Sequence, residues 1–192
     1  MPAPSASSHA ERVAEILRSD PLRWRLLGLV ADLELPDGWI SAGFVRNAVW
    51  DALHHRSPSP PAGDVDVIWF DPEHAEPERD RDLELKLQRA EPSVDWSVKN
   101  QARMHARNGD APYTSASDAM RFWPETATAV AARRTATVAC EIAAPLGLQD
   151  LIGLIARPAG EFAHRKRPIF DQRISQKRWV DVWPRLTVVE PH

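Results

Sequence analysis

Two carboxylates separated by one residue, Asp64 and Asp66, are the residues whose type and spacing most clearly suggest chemistry. They open an otherwise apolar stretch with the character of a β-strand, in which side chains i and i+2 point to the same face. Like charges held this close repel each other unless a cation lies between them. Because hard oxygen ligands select hard divalent cations, the pair predicts a magnesium or manganese site.

The segment before this pair has the composition of an anion-binding turn. Ser41, Ala42 and Gly43 follow a short apolar segment and precede a helical pattern with Arg46 in its first turn. Such a helix start offers backbone N–H groups and the positive end of the helix dipole to an anion. Gly43 allows close backbone approach, and Arg46 offers a bidentate fork to phosphate. A phosphate site beside a metal-binding pair is what metal-assisted phosphoryl chemistry requires.

The elements that must position these residues predict a small α/β core. Their βαββ order suits a small mixed, mostly antiparallel sheet with helices packed on it. A Pro-rich loop is expected to be mobile and to border the site. The predicted elements are a strand at 39–40, a helix after Gly43, the loop at 57–63, a strand at 65–70, a helix at 78–91 and a strand at 94–98.

Further helices are predicted on both sides of this core. Asp20 followed by Pro21 has the character of an N-cap and the first residue of a helix. Residues 126–133 either form a hairpin with the β-prone segment 135–144 or are helical, and both interpretations stay open. The other predicted helices are 9–18, 115–123, 149–156 and 171–183.

The chain of 192 residues is predicted to form one domain that can bury a sizeable core. Residues 1–8 are rich in Pro, Ala and Ser and predict a disordered tip. Residues 9–192 are expected to hold the core, at about 36–145, and a helical C-terminal appendage, at about 146–192.

Composition excludes several classes of protein. The net charge of -3 argues against a generally basic nucleic-acid binder, although local basic patches stay open. No apolar run is long enough to predict a membrane span, and the N-terminus lacks the order of a signal peptide. Cys140 is the only cysteine, so no intramolecular disulfide can form. These features fit a cytoplasmic location.

The turn and the carboxylate pair together resemble a known signature. Ser41-Ala42-Gly43 followed by Asp64-Val65-Asp66 is similar to the small-residue turn and Asp-x-Asp of the DNA polymerase beta-like nucleotidyltransferase superfamily. The run Gly43-Phe44-Val45-Arg46-Asn47 is similar to a Gly-x-Val-Arg-Asp run of CCA-adding enzymes. More narrowly, the chain resembles a bacterial nucleotidyltransferase family over roughly residues 20–185. The stretches that carry this resemblance are AGFVRNAVWDALH, DVDVIWFD, WSVKNQARMH, WPETATAV and APLGLQDLIGL.

This resemblance implies a reaction and a set of site residues. The implied activity is metal-dependent transfer of a nucleoside monophosphate from a nucleoside triphosphate to a hydroxyl acceptor, with release of pyrophosphate. Asp64 and Asp66 would be catalytic and would bind two Mg²⁺ or Mn²⁺ ions. Ser41, Gly43 and Arg46 would hold the β and γ phosphates.

The resemblance also implies a third catalytic and metal-binding carboxylate on the strand after the Asp-x-Asp. Asp95 occupies that place, and its apolar neighbours put it on the more polar face of the predicted strand. Glu125 and Glu141 are the alternative candidates. Asn47 stands where CCA-adding enzymes have Asp, and Ala42 where a glycine is usual, so CCA specificity does not follow.

A dense group of polar side chains follows the third predicted strand. Its members are Lys99, Asn100, Gln101, Arg103 and His105. The amides of Asn100 and Gln101 suit the edge of a base, and Arg103 adds a cation. We therefore predict Asn100, Gln101 and Arg103 as nucleotide-binding residues, and do not place His105 among the metal ligands.

A second group of basic residues lies near the C-terminus. It comprises Arg165, Lys166, Arg167, Arg173, Lys177 and Arg178. Such a group could form a patch that binds a nucleic-acid backbone, but this pattern more commonly indicates a charged face exposed to solvent.

The sequence therefore predicts a nucleotidyltransferase that uses Mg²⁺ or Mn²⁺ and a nucleoside triphosphate. RNA, a protein side chain and a small molecule all stay open as acceptors, and no motif indicates the preferred base or the oligomeric state. Two other functions stay open: a catalytically degenerate nucleotide-binding or regulatory module, and a toxin-like nucleotidyltransferase acting on tRNA.

Overall fold

A mixed five-stranded sheet lies at the centre of the computed structural model, which describes residues 6–135 and 139–190. Its strands are β1 (Trp39–Ser41), β2 (Val65–Trp69), β3 (Trp96–Asn100), β4 (Ala131–Arg134) and β5 (Cys140–Ala143). The spatial order is β3-β2-β1-β4-β5. β2 and β3 are parallel, and the other neighbouring pairs are antiparallel. This confirms the predicted small mixed, mostly antiparallel sheet.

Helices surround this sheet, and a short parallel pair of strands follows it. The helices are α1 (Ala6–Ser19), α2 (Pro21–Ala31), α3 (Gly43–Leu53), α4 (Pro77–Ala90), α5 (Met104–Asn108), α6 (Ala116–Met120), α7 (Gln149–Ile152), α8 (Arg167–Lys177) and α9 (Trp179–Val182), with 3-10 turns at Gln101–Arg103 and Gly160–Ala163. The short pair is β6 (Ile155–Ala156) and β7 (Thr187–Val188). Within the described residues, no helix has the length and apolar character needed to cross a membrane.

The two faces of the sheet have different surroundings, and β2 shows why. Val65, Val67 and Trp69 are fully buried and point into the main core, which is formed with helices α1 to α4. Asp66 and Ile68 point to the opposite face, where Ile68 packs in a smaller apolar cluster that includes side chains of α6. Alternation along one strand therefore places an acidic side chain outside the main core.

The two interpretations of residues 126–133 are resolved by the pairing of β4 with β5. Ala131 lies opposite Ala143, and Arg134 lies opposite Cys140, in an antiparallel hairpin. Residues 136–138 lie outside the described residues. β4 also pairs with β1, so the hairpin completes the sheet beside the turn at Ala42.

Several predicted boundaries are wrong. The third strand covers Trp96–Asn100 rather than 94–98, because its parallel pairing with β2 continues to Asn100. The predicted last helix at 171–183 is two helices, since Arg178 has a φ of 48° and this left-handed conformation interrupts the helical ladder. Likewise Leu154, with a φ of 55°, separates α7 from β6 inside the helix predicted at 149–156.

The N-terminal boundary also differs from the prediction. α1 begins at Ala6, so the predicted disordered tip could include no more than residues 1–5, which lie outside the described residues. The predicted cap of α2 is confirmed, because the Asp20 carboxylate accepts hydrogen bonds from the backbone N–H groups of Leu22 and Arg23. Asp20 also pairs with the buried Arg23 side chain.

Arg23 holds the Pro-rich loop against α3. Its Nη1 donates to the carbonyl oxygen of Ser59 at 2.7 Å, and its Nε donates to that of Phe44 at 3.0 Å. The Ser59 hydroxyl donates to Asp51 on α3 at 2.8 Å. The loop at 57–63 is therefore tied to the helix that follows the turn, which places it beside the site.

The C-terminal appendage packs on α3 through three tryptophans. Trp50 is fully buried, and its ring contacts Trp179 and Trp183 edge to face, with centroids 5.5 and 5.1 Å apart. The Nε1 group of Trp183 donates to Asp51 at 2.8 Å. These contacts hold α9 and Trp183 against α3, and α8 directly precedes α9. The division at about residue 145 stays a prediction.

Candidate active site

Asp66 and Asp64 lie at the start of β2, on the face of the sheet away from the main core. Asp66 is opposite Ser97 of β3 in the parallel pairing, and the Ser97 hydroxyl donates a hydrogen bond to it. Asp64 directly precedes the strand, and its negative charge acts on Asp66. The structure therefore brings the predicted acidic pair together.

Asp66 is an unusually basic carboxylate. Burial raises its pKa to about 6, and the neighbouring charge of Asp64 adds to this rise. The hydrogen bond from Ser97 and the positive charges of Arg173 and Lys177 act in the opposite direction. An acid in this setting gains stability from a bound cation, and strongly shifted pKa values of this kind cluster at functional sites.

This raised pKa gives a prediction for protein stability. Asp66 titrates near 3.8 when unfolded and near 6 when folded, so the folded state binds more protons between these values. The free energy of unfolding should therefore fall as pH rises from about 4 to 7, by at most about 3 kcal/mol from this group. Asp66→Asn should remove this fall. Urea unfolding of both proteins across that range without divalent cations measures it, and identical pH dependence would contradict the prediction.

The turn between β1 and α3 carries backbone strain at Ala42. Its φ of 55° and ψ of -122° lie in a region that residues with a Cβ rarely adopt. Ala42 is held there because its N–H donates to Val130 and its carbonyl accepts from the N–H of Arg46. A Cβ at Gly43 would make ordinary contacts with Arg46 Nη2 at 3.5 Å and Asn47 Nδ2 at 3.8 Å, and the role of Gly43 in close approach to a phosphate stays a prediction. The strained residue is thus Ala42, and such strain is frequent at ligand-binding turns.

The start of α3 leaves backbone donors available. Among the described residues, no side chain caps this helix. Ser41 is fully buried, and its hydroxyl donates to the carbonyl oxygen of Asp66 at 3.2 Å, so in this structure it links β1 to β2 beneath the site. The role of Ser41 as a phosphate donor stays a prediction.

Arg46 is buried beside the turn instead of reaching into solvent. Its guanidinium lies 4.3 Å from the ring centroid of Trp179 and donates to Thr128 Oγ1 at 2.8 Å and to Asn47 Oδ1 at 2.9 Å. Burial lowers its pKa to about 10, although the nearby charge of Glu125 opposes this shift. Arg46 therefore joins α3 to the C-terminal appendage at the site.

Three adjoining clefts surround these residues. The Asp66 cleft, of about 250 Å³, is lined by Ala42, Asp66, Gln101, Trp123, Thr128 and Arg173, among others. The α8 cleft, of about 630 Å³, is lined by Asn108, Trp123, Phe162, Ile169, Gln172, Arg173, Gln176 and Lys177, among others. The Arg46 cleft, of about 470 Å³, is lined by Arg46, Asn47, Ser59, Gly63, Lys177 and Trp179, among others. Arg173 and Lys177 stand where one cleft meets the next.

Sequence reasoning missed an ion pair at this junction. Glu125 is fully buried, and its Oε1 accepts from Arg173 Nε at 2.6 Å. Its Oε2 has no hydrogen-bond partner within the described part of the chain. The two residues are 48 positions apart, so no local pattern joins them. The one available signal was the spacing of Ile169, Arg173 and Lys177, which puts them on one face of a helix.

The predicted nucleotide-binding residues after β3 fall in two places. Gln101 lines the Asp66 cleft. Asn100 is buried on the other face of the sheet, where its side chain bonds to backbone groups of Asp71, His74 and Ala102. Its hydrogen-bonding capacity is used there, so the structure does not place Asn100 at the cleft.

Arg103 also lies away from the predicted position. It pairs with the buried carboxylate of Asp80, which in turn accepts from Trp69 Nε1 at 2.8 Å. Both positions differ from the prediction because β3 ends at Asn100, two residues later than predicted, and the 3-10 turn then directs Arg103 toward α4.

The third carboxylate has no clear counterpart. Asp95 is exposed beside the start of β2, where its carbonyl accepts from the Val65 N–H at 2.7 Å. Within residues 6–135 and 139–190, no three His, Cys, Asp or Glu side chains form a group that could hold a metal ion. Asp95 as third ligand therefore stays a prediction. Glu141 pairs with Arg133 at 2.6 Å on β4 and β5, on the other side of β1 from the acidic pair.

The donor set nonetheless fits a hard divalent cation that arrives with its substrate. Magnesium is commonly bound through one or two carboxylates together with substrate phosphates, and it keeps several waters. Asp64 and Asp66 supply two such carboxylates, and a bound cation would offset the burial and the charge of Asp64 that together raise the pKa of Asp66.

Comparison with known proteins identifies a family model and a solved structure that are similar to this chain. A family model described as nucleotidyltransferase matches residues 28–188. A protein whose NMR structure is described as revealing a CCA-adding enzyme head domain is 35% identical, with a TM-score of 0.82, over 94% of this chain and 95% of that chain. No curated protein sequence gave a significant match.

Two more distant structures share the fold. One is the apo form of a tRNA-processing enzyme, 15% identical with a TM-score of 0.53, over 100% of this chain and 46% of that chain. The other is a tRNA-processing enzyme complex, 14% identical with a TM-score of 0.52, over 86% of this chain and 43% of that chain. The chain thus spans less than half the length of either enzyme.

Proposed function

Because this chain belongs to the nucleotidyltransferase family, we propose that it transfers a nucleoside monophosphate from a nucleoside triphosphate to a hydroxyl acceptor, with a divalent cation bound by Asp64 and Asp66. The observation that carries the proposal is the Asp66 cleft, which is lined both by an acidic side chain lacking a counter-charge in contact and by the strained turn at Ala42. A metal–triphosphate complex has the two charges that these features complement.

Different residues of the site bind different parts of the metal–triphosphate complex. Asp64 and Asp66 hold the cation, which when bound supplies positive charge beside the acceptor hydroxyl and the phosphates. The uncapped start of α3 offers backbone N–H groups to the phosphates, as helix N-termini commonly do. Gln101 lines the same cleft and supplies amide groups suited to a base or ribose.

The reaction itself is an in-line displacement. The acceptor oxygen forms a bond to the α-phosphorus, the bond from that phosphorus to the bridging oxygen breaks, and pyrophosphate leaves. Because there is little covalent work for the protein to do, catalysis depends on positioning and charge. A base near the acceptor would take its proton.

One observation favours a second candidate, a nucleotide-binding module without turnover. The described residues contain no group of three carboxylates or other ligands around Asp66. A site of this kind would bind a metal–triphosphate complex, yet it would lack the third carboxylate that the sequence resemblance implies.

Binding is tested by thermal unfolding with each of the four nucleoside triphosphates, with and without Mg²⁺ or Mn²⁺. A ligand at about 100 times its dissociation constant stabilises the folded state by about 2.7 kcal/mol. We expect a metal-dependent rise in melting temperature for wild type, and its loss in Asp64→Asn. Absence of any rise in the wild type would contradict both candidates, and a rise without turnover would favour the binding module.

A further inference from the structure

We propose that Arg173 and Lys177 of α8 bind the triphosphate of the nucleotide opposite Asp64 and Asp66, with Glu125 holding the Arg173 guanidinium in place. This inference rests on the proposed function. It assigns triphosphate binding to residues of the C-terminal appendage as well as to the turn before α3.

The placement of the two cations is the first argument. They are one helical turn apart, so their side chains share a face of α8. Arg173 lines the Asp66 cleft and the α8 cleft, and Lys177 lines the α8 cleft and the Arg46 cleft. The positive charges of both side chains lower the pKa of Asp66, so both lie within electrostatic reach of this carboxylate.

The second argument is that these cations are available. Arg173 uses its Nε to donate to Glu125, and neither of its Nη groups has a hydrogen-bond partner within residues 9–135 and 139–190. In the same described part of the chain, Lys177 makes no ion pair. By contrast, the neighbouring Arg167 and Arg178 pair with Asp171 and Asp181.

Glu125 explains how Arg173 is kept at the cleft. The carboxylate is fully buried and binds only one edge of the guanidinium, through Nε at 2.6 Å. An arginine bound in this way keeps Nη donors for a second anion. Glu125, an alternative candidate for the third metal ligand by sequence, thus acts as a positioning residue for Arg173.

The charges of the two walls define the ligand. The acidic wall is formed by Asp66, which lines its cleft, with Asp64 directly before the strand. The cationic wall is formed by Arg173 and Lys177 of the adjoining clefts, and no ion pair joins the two walls in the described structure. A ligand that carries both a cation and several phosphate charges satisfies both walls at once. A metal–triphosphate complex has this chemistry, whereas a phosphodiester strand brings one charge per residue and no bound metal.

Binding of inorganic tripolyphosphate with Mg²⁺ tests this assignment without requiring a base or an acceptor. We expect Arg173→Gln and Lys177→Gln each to weaken binding about tenfold, equivalent to about 1.4 kcal/mol. Arg173→Lys should recover part of the loss, since it keeps the charge but not the fork. Arg165→Gln is the control, because Arg165 is 75% exposed and pairs with Glu161 outside the clefts.

A double-mutant cycle tests the part of Glu125. Glu125→Gln should weaken tripolyphosphate binding about threefold in the wild-type background and not at all in Arg173→Gln, because its effect passes through Arg173. Equal losses in both backgrounds would overturn the positioning role. Thermal unfolding without ligand shows that each variant is folded.

The outcomes separate this inference from the proposed function. If the wild type binds no triphosphate, both fail together. If Asp64→Asn loses binding while Arg173→Gln and Lys177→Gln keep it, the assignment of α8 fails alone. A short single-stranded oligoribonucleotide is the second probe. If Arg173→Gln and Lys177→Gln weaken binding of this oligonucleotide but leave binding of tripolyphosphate unchanged, the assignment is overturned and the two cations bind an acceptor strand instead.

Discussion

Replacing Asp66 with asparagine is expected to reduce nucleotidyl transfer at least about a thousandfold, which corresponds to about 4 kcal/mol of lost transition-state stabilisation. The substitution removes one of the two charges that would hold the cation, and a cation in phosphoryl chemistry is worth several kcal/mol. Since burial makes the ionised form of Asp66 unfavourable, the variant should be as stable as the wild type at neutral pH, or more stable.

The measurement is pyrophosphate release in the presence of Mg²⁺, each nucleoside triphosphate and a mixture of cellular RNA and protein. Transfer RNA belongs in this mixture because RNA is one of the acceptors that the sequence leaves open. Asp82→Asn is the control, since Asp82 is an exposed acid on α4. Retention of more than about a tenth of wild-type turnover by Asp66→Asn would contradict a role in catalysis.

Trp50→Ala is expected to lower the free energy of unfolding by about 3–5 kcal/mol. Trp50 is fully buried between α3 and the appendage, where it contacts the rings of Trp179 and Trp183. Its ring also lies under the guanidinium of Arg46 at 5.1 Å, and its Nε1 donates to the carbonyl of Leu151. The substitution therefore leaves a cavity and an unpaired carbonyl at the joint that sets α8 beside the site.

Urea unfolding measures this effect as a lower midpoint with an unchanged slope. Leu85→Ala is the matched control, because Leu85 is 53% exposed on α4 and should change stability by no more than about 0.5 kcal/mol. A loss below about 1 kcal/mol in Trp50→Ala would mean that the appendage does not depend on this contact.

The acidic pair and the turn were predictable because their signals are local. A small-residue turn, a helix and an Asp-x-Asp inside an apolar strand lie within residues 41–69, and alternation alone puts Asp66 on the face away from the core. The sheet class followed from the same order of elements. The strained position could not be predicted, since Ala42 is held by a hydrogen bond to Val130, which lies directly before β4 and far away in the sequence.

The positions of the residues after β3 could not be predicted from local sequence patterns. Asn100 and Arg103 looked like nucleotide ligands by type, but β3 ends two residues later than predicted, and this shift turns them toward Asp71 and Asp80. Glu125 and Arg173 were separated by too many residues for any pattern to join them. The ion pair between Glu125 and Arg173 depends on how the appendage packs on α3, which is a property of the tertiary structure.

The fate of labelled phosphate is the most direct test of the central claim. Each nucleoside triphosphate, labelled at the α or the γ phosphate, is incubated with the wild type, Mg²⁺ and the acceptor mixture. We expect the α label to enter an acceptor, the γ label to appear in pyrophosphate, and both products to be lost in Asp66→Asn. Transfer of the γ label to an acceptor, or no pyrophosphate from any triphosphate, would contradict nucleotidyl transfer at this site.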